Sequence, residues 1–344
     1  MAIGAYCEIR RETGTAAGTE TAVSSAFATK IVFAPAVQFG HDNGIAQLER
    51  DDEMRNVNEP LLRVPEMFAP SWSMELRMYP DSLAQLLAGH LGAPATTTGD
   101  GVITDLGALV IPASAYRHRW TAPYATGAAP QTLAFRLGYG DGVWMEIRGA
   151  TIESLAITTP DAGGCRVQIS GRANFVGKIA DPSLTPTYET LAIEPFHKSF
   201  ASLAWLSGTA NTETVSVTIA KPVEHSRTFG SGSKWPNLVE HGDGVPMVTG
   251  SIVKRTHDTD DFDALLGGTR FTVLIGWVHT DVITGTRPYT VYVQGPSTSA
   301  MLTSGGPEDL QNRRRTPASY DFALTRDSAA SSVIECVNAT ASYS

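Results

Sequence analysis

The feature that most constrains the fold is a series of short runs in which apolar and polar residues alternate. In the run 71–78, Trp72, Met74, Leu76 and Met78 share one side of an extended chain, and mostly polar residues share the other. Gly, Pro, Asn and Asp separate this run from similar ones in both halves of the chain. The others are centred on residues 133–137, 143–147, 152–157, 167–169, 215–219, 271–275, 289–293 and 333–337. The pattern predicts a mainly β chain.

Two segments have helical spacing instead. In the first, apolar residues stand at 83, 86, 87 and 91, Pro80 and Asp81 mark the start, and Gly92 marks the end. The second covers 260–266, with acidic residues in its first turn and two glycines after it. The glycine-rich segments 138–142 and 161–164 predict hairpin turns between neighbouring strands.

The order strand, long loop, strand, short helix, strands occurs twice along the chain. The long loops are about 39–70 and 224–246, and a Pro/Ser/Thr-rich connector at 181–187 separates the two halves. We therefore predict two β-sandwich domains, 1–180 and 181–344, each with one short α-helix and one long loop.

Charge and cysteine usage exclude several classes of function. The chain has 344 residues and a formal net charge of −9, which argues against a sequence-specific nucleic-acid binder. The same balance suits a passage through which DNA must slide without sticking. Cys7, Cys165 and Cys336 form no metal-binding spacing and predict free thiols. No signal-peptide core or membrane-spanning apolar stretch is present, so we expect folding in the cytoplasm.

A search for catalytic and ligand-binding motifs favours no enzyme and no cofactor. There is no nucleophile elbow, no phosphate loop and no zinc-protease motif. The acidic segment 257–263 does not fit a calcium loop and is better explained by the helix dipole. The basic run 117–120 is interpreted as a solvated strand face, and Arg313, Arg314 and Arg315 as ion-pair partners of a neighbouring subunit.

The order of elements resembles the tail tube proteins of long-tailed bacteriophages (siphophages). The segments that carry the resemblance are Tyr79–Leu87, Val248–Ile252, Glu194–Phe196 and Cys336–Ala339. It implies small β-sandwiches flanked by a helix, which form rings that stack into a tube. A duplicated domain implies a trimeric ring with pseudo-sixfold symmetry, whereas a single domain implies a hexamer. The acidic composition then predicts an anionic lumen.

The resemblance also implies partners and a location. They are other copies of the chain, the tape measure, tail tip and terminator proteins, and double-stranded DNA that passes without specific binding, all in the virion tail. The apolar content of the first long loop suggests that a neighbouring molecule orders it. The predicted inter-ring or intersubunit residues are Leu48, Arg50, Asp51, Asp52, Leu61, Leu62, Met67, Phe68, Trp235, Leu238, Arg313, Arg314 and Arg315.

Two alternatives remain open from the sequence. The first is a carbohydrate-binding or adhesin-like β protein, in which some of the six tryptophans would form an exposed sugar-stacking face. The second is a β-rich hydrolase, whose paired carboxylates would meet only in space.

Overall fold

The computed structural model describes twenty segments of the chain. They are residues 5–11, 32–34, 36–40, 47–48, 64–65, 70–98, 102–103, 109–110, 114–121, 132–139, 142–160, 164–180, 200–205, 212–226, 238–241, 247–255, 259–285, 287–307, 317–324 and 332–341.

The described residues are mainly β, as predicted, and all strand pairs are antiparallel. The first half of the chain contains β1 (Ala5–Arg11), β2 (Val32–Ala34), β3 (Ala36–Gly40), β4 (Gln47–Leu48), β5 (Val64–Pro65), β6 (Ser71–Arg77), α1 (Pro80–Leu91), β7 (Ala95–Thr98), β8 (Val102–Ile103), β9 (Leu109–Val110), β10 (Tyr116–Thr121), β11 (Leu133–Gly138), β12 (Trp144–Thr159), β13 (Arg166–Arg172) and β14 (Phe175–Ile179). The second half contains β15 (Phe200–Ala204), β16 (Thr212–Ala220), β17 (Val223–Ser226), β18 (Leu238–His241), β19 (Met247–Lys254), α2 (Thr259–Gly267), β20 (Arg270–Thr284), β21 (Arg287–Pro307), β22 (Ala318–Leu324) and β23 (Val333–Asn338).

Eight of the strands pair side by side in one continuous run. Its order is β3, β6, β13, the second half of β12, β16, β19, β22 and the second half of β21. We call the first four strands of this run group one and the last four group two. The chain passes through each group in the same way, with a helix after the second strand in space.

The two longest strands leave this run and enter other layers. The first half of β12 pairs with β11 and β14, and β11 continues to β1 and β2. The first half of β21 pairs with β20 and β23, which continue to β15 on one side and to β10 and β7 on the other. Among the described residues, seventeen strands are connected into one sheet.

The hydrophobic core lies between the eight-stranded run and these other layers. Trp72 in β6 packs on Phe135 in β11 with ring centroids 4.9 Å apart. In the second half of the chain, Trp205 contacts Phe271 in β20 and Phe322 in β22, with ring centroids 5.0 Å and 5.6 Å apart. Strand alternation therefore gives the eight-stranded run one face toward the core and one face that is polar.

Both predicted helices are confirmed, with the predicted ends. Helix α1 begins at Pro80 and stops where Gly92 adopts a φ of 95°, which favours glycine. Helix α2 carries Asp260 and Asp261 in its first turn, and Gly268 follows it with a φ of 60°. The two helices differ in burial, since α1 is covered on most sides and α2 is largely exposed.

Three details differ from the sequence prediction. The runs at 143–147 and 152–157 belong to one strand, β12, rather than two. The predicted second long loop contains a hairpin, because β17 pairs with β18. The first long loop begins after β3, which includes Phe39, and it contains the short pair β4–β5. The connector 181–187 lies outside the described residues.

Candidate assembly interface

The face of the eight-stranded run that points away from the core, here called the polar face, is rich in small hydroxyl groups. Most of the side chains that the structure describes on this face are partly or fully exposed. Ser216 Oγ on β16 lies 2.8 Å from Ser251 Oγ on β19, a hydrogen bond between neighbouring strands. The hydroxyl and amide residues of this face are Ser71, Ser73, Ser154, Thr158, Gln168, Ser170, Thr214, Ser216, Thr218, Thr249, Ser251, Ser304 and Ser319.

Charges on and beside the polar face balance one another. Arg166 Nη1 donates to Glu75 Oε1 at 2.7 Å, and Arg172 Nε lies 3.4 Å from Glu153 Oε1. Burial raises the pKa of Glu153, and the neighbouring Arg172 opposes that shift. In the described segments the set consists of four acids and four bases, namely Glu75, Glu153, Glu213, Asp321, Arg77, Arg166, Arg172 and Arg255.

Groups one and two meet where the second half of β12 pairs with β16. Residues 154–159 of β12 lie opposite residues 220–215 of β16, so the joint is an ordinary antiparallel ladder. Two hydrogen bonds from outside the ladder support it. Lys221 N donates to Glu153 O at 2.8 Å, and Trp277 Nε1 donates to Thr159 Oγ1 at 2.7 Å. We call this pairing the internal joint.

Helix α1 also bridges the internal joint, through a buried histidine. His90 Nδ1 lies 2.7 Å from the carbonyl oxygen of Ile152 in β12, and its Nε2 lies 3.1 Å from that of Ile219 in β16. Both partner atoms are carbonyl acceptors, so the ring nitrogen that carries the hydrogen donates to its carbonyl. One side chain therefore links the last turn of α1 to one strand of each group.

The two ends of the eight-stranded run are sheet edges. Strand β3 pairs with β6 on one side, and no other described strand pairs with its opposite side in this run. Beyond Met301, the second half of β21 likewise pairs with β22 alone among the described strands. An edge presents a row of backbone N–H and C=O groups that can pair with another chain. The chain thus offers one strand edge at each end.

A buried ion pair fixes α2 to group two. Lys254 Nζ donates to Asp261 Oδ2 at 2.8 Å, and Trp205 Nε1 donates to Asp261 Oδ1 at 2.9 Å. The lysine and aspartate side chains are 3% and 0% exposed. Because a buried carboxylate needs both charge and hydrogen-bond partners, this arrangement holds the start of α2 against β19.

The basic run on β10 is not a solvated face, which corrects the prediction for residues 117–120. Arg117 forms a two-pronged ion pair with Glu335 on β23, with Nε donating to Oε2 at 3.0 Å. Arg119 Nε lies 3.4 Å from the same carboxylate, and His118 and Trp120 are buried on the other face. The cluster therefore joins β10, from the first half of the chain, to β23, from the second.

The two described cysteine thiols, Cys165 and Cys336, are free and buried, in agreement with the predicted free thiols. Burial raises the pKa of both, and the nearby carboxylates of Glu335 and Asp81 raise that of Cys336 further. Such thiols remain protonated and act as small apolar groups. The side chain of Cys7 lies outside the described residues.

The predicted intersubunit residues all stay predictions. The structure describes the backbone of Leu48 in β4 and of Leu238 in β18, but not their side chains. The remaining eleven lie outside the described residues: Arg50, Asp51, Asp52, Leu61, Leu62, Met67, Phe68, Trp235, Arg313, Arg314 and Arg315. The features that sequence reasoning missed are the internal joint and the two sheet edges, which depend on strand order in space.

Tryptophans in the described segments form no exposed aromatic face. Trp72, Trp120, Trp205 and Trp277 are buried, and Trp144 is partly buried. All four buried indoles donate hydrogen bonds to atoms of other parts of the fold. These side chains act as core anchors, so they do not favour the sugar-binding alternative.

Among the same described residues, no cluster of His, Cys, Asp and Glu is arranged to hold a metal ion. No described helix is long and apolar enough to cross a membrane.

An antiparallel β chain of this kind, whose described features are open sheet edges and a balanced polar face, has the properties of a structural protein. The family model described as phage tail tube protein matches residues 9–324. The chain therefore belongs to the phage tail tube protein family, whose members are structural proteins of the virion tail. A search of curated proteins returned no match.

Proposed function

We propose that this chain assembles into rings that stack to form the tail tube, the conduit for delivery of the phage genome. We further propose that 1–180 and 181–344 are duplicated tail-tube domains, and that three copies close a ring with pseudo-sixfold symmetry. The matching strand orders of groups one and two support duplication. The alternative is a hexameric ring, in which each chain would contribute a single tube domain, and a duplicated domain argues against it.

The observation that carries this proposal is the internal joint together with the two sheet edges. In group one, β3 stands first and the second half of β12 stands last; in group two, β16 stands first and the second half of β21 stands last. At the internal joint, the last strand of group one pairs with the first strand of group two. Pairing β21 of one copy with β3 of the next would repeat that joint and continue the sheet around a ring.

The repeated joint has a specific register. At the internal joint, Leu155 lies opposite Ile219. Strand β6, which precedes α1, corresponds to β19, which precedes α2. Counting along the ladders from these two strands, Leu302 corresponds to Leu155 and Phe39 corresponds to Ile219. We therefore place Leu302 opposite Phe39 of the next copy.

The polar face is our candidate for the lining of the tube. Small hydroxyl groups and balanced charges present neither a strong field nor an apolar surface to DNA that passes by. On this assignment the described part of the lining is less anionic than the acidic composition predicts. Tape measure, tail tip and terminator proteins remain the expected partners, and DNA would pass without specific binding.

Electron microscopy of the purified chain over a range of concentrations, with native mass measured in parallel, tests the proposal. We expect hollow stacked rings and a trimeric ring mass. A hexameric mass would contradict the duplication but keep the tube. A chain that stays monomeric over the whole range, even when tail tip proteins are added, would overturn the assembly proposal.

A further inference from the structure

Helix α2 exposes two large apolar side chains on one side. Phe262 is 36% exposed and Leu266 is 71% exposed, and their spacing of four residues places them one turn apart on the same side of the helix. Ala264 is buried and Leu265 packs against the core, so the helix is already attached through its other side. Apolar side chains of this size, paired on an exposed helix face, indicate a contact surface.

The same positions of helix α1 are buried. Leu87 of α1 and Leu265 of α2 both face the core, so we align the two helices on these residues. The positions three residues before and one residue after Leu87 are Ala84 and Ala88, which are 0% and 2% exposed. In α2 those positions hold Phe262 and Leu266. The side of the helix that is open in α2 is therefore closed in α1.

The second half of the chain closes that side of α1. Besides β12 and β1, helix α1 contacts β21 and β23 of the second half of the chain. Asp81 Oδ1 accepts a hydrogen bond of 3.1 Å from Thr340 Oγ1, directly after β23. Asp81, Ala84 and Ala88 are spaced three and four residues apart, so they share one side of α1. That side faces the second half across the internal joint.

Strand β14 is the counterpart of β23 in the first half. β14 pairs with the first half of β12 just as β23 pairs with the first half of β21. All of β23 is buried, whereas β14 is partly buried and exposes Lys178. Val176 of β14 and Met145 of β12 reach the core but are only partly covered. The first half thus leaves open the kind of surface that α1 covers in the second half.

We infer that α2 of one copy docks, through Phe262 and Leu266, on β14 and the first half of β12 of a second copy. This inference rests on the proposed ring, and it adds a second contact beside the β21–β3 strand pairing. Asp263 on α2 and Lys178 on β14 are both exposed, and their opposite charges suit this orientation. The larger side chains of α2 suit a joint between separate chains, because such a joint must offset the entropy lost on association.

Cysteine cross-linking tests the contact directly. The variant with Leu266→Cys and Val176→Cys, treated with a short bifunctional maleimide, should give covalent oligomers of the assembled protein. The matched control carries Leu266→Cys and Gln85→Cys, since Gln85 lies at the position of α1 that faces neither half. We expect the control to give no more cross-linked oligomer than the natural chain treated with the same reagent. Equal cross-linking in both variants would overturn the inference.

A second set of variants separates docking from folding. Leu266→Asp and Phe262→Asp should raise the concentration needed for assembly about tenfold or more, since each removes one large buried apolar contact. Gln85→Asp should leave it unchanged, and Leu266→Asp and Gln85→Asp should both melt like the natural chain. If the natural chain forms rings and the α2 variants assemble equally well without cross-links, the docking inference fails and the proposed function stands. If the natural chain forms no rings at all, both fail.

Discussion

At the scale of single residues, His225 shows how this fold buries polar groups at the edge of the core. Its Nδ1–H donates to Asn174 Oδ1 at 3.0 Å, and its Nε2 accepts from Thr151 Oγ1 at 2.6 Å. Burial, and then the positive charge of Arg172, lowers the pKa of His225 from 6.5 to about 4. The neutral ring is therefore the form that the folded protein selects.

This burial predicts a loss of stability in mild acid. Between pH 6.5 and about 4 the unfolded chain binds a proton at His225 that the folded chain does not, so the free energy of unfolding falls as the pH falls through this window. The full loss is about 3 kcal/mol. His225→Gln keeps hydrogen-bonding groups without the titration, and the difference between the two unfolding curves, measured from pH 8 to pH 4, isolates the effect.

We expect the two proteins to show parallel stability above about pH 7 and to diverge below it. His118 contributes with the same sign in both, because burial lowers its pKa as well. Its contribution cancels in the difference. Curves that remain parallel down to pH 4 would contradict the assignment of a neutral, buried His225.

At the scale of elements, the two strand-to-helix turns use different chemistry for the same purpose. At the start of α1, Met78 and Leu83 are both fully buried and apolar. The corresponding positions at the start of α2 hold Lys254 and Asp261, which form a buried ion pair. Removing one member leaves a buried charge without its counterion, whereas replacing both with apolar groups removes the charge problem.

Lys254→Met alone should therefore lower the free energy of unfolding by about 3–5 kcal/mol. The double variant with Lys254→Met and Asp261→Leu should recover most of that loss, because it reproduces the apolar turn before α1. Thermal and urea unfolding of the three proteins give the ranking. A double variant less stable than the single one would show that Trp205, which loses its acceptor on Asp261, dominates this site.

The elements that could be predicted from the sequence are those with an unbroken period. Strand β6 alternates strictly, with Trp72, Met74 and Leu76 buried, and α1 and α2 have the predicted ends. The joining of the two runs into one strand, β12, could not be predicted, because the alternation of apolar and polar residues is interrupted within the strand. Its ladders shift register near residues 133–135 and 152–154, and such a bulge moves the apolar positions from one parity to the other.

The second helix illustrates a similar limit. The adjacent pair Leu265 and Leu266 resembles Leu86 and Leu87 of α1 in sequence, yet Leu266 lies at the surface. A short helix with few apolar residues fits two rotations about equally well, and in the structure Ala264 and Asp261 are the buried residues. The exposed leucine, and with it the candidate docking surface, therefore became visible only in three dimensions.

At the scale of the whole molecule, the candidate interface depends on strand order, which is a property of the complete sheet. Composition indicated assembly and the family resemblance indicated a ring, but neither identifies β3 and β21 as the two ends of the eight-stranded run. The loop residues predicted as contacts still require their own test. Which face lines the tube is likewise decided by how copies are arranged, and it can be tested in assembled particles.

Tubes assembled from the variants Gln168→Cys and Gln85→Cys should distinguish the two faces. Gln168 lies exposed on the polar face, whereas α1, which carries Gln85, packs on the opposite side of the same sheet. A small maleimide should label both variants, and a maleimide on a polymer too wide for the bore should label Gln85→Cys alone. Before assembly both reagents should label both variants, which controls for local accessibility. If the polymer reaches Gln168→Cys in intact tubes as readily as Gln85→Cys, the polar face lies outside. The balanced charges would then serve contacts between tube and surroundings rather than the passage of DNA.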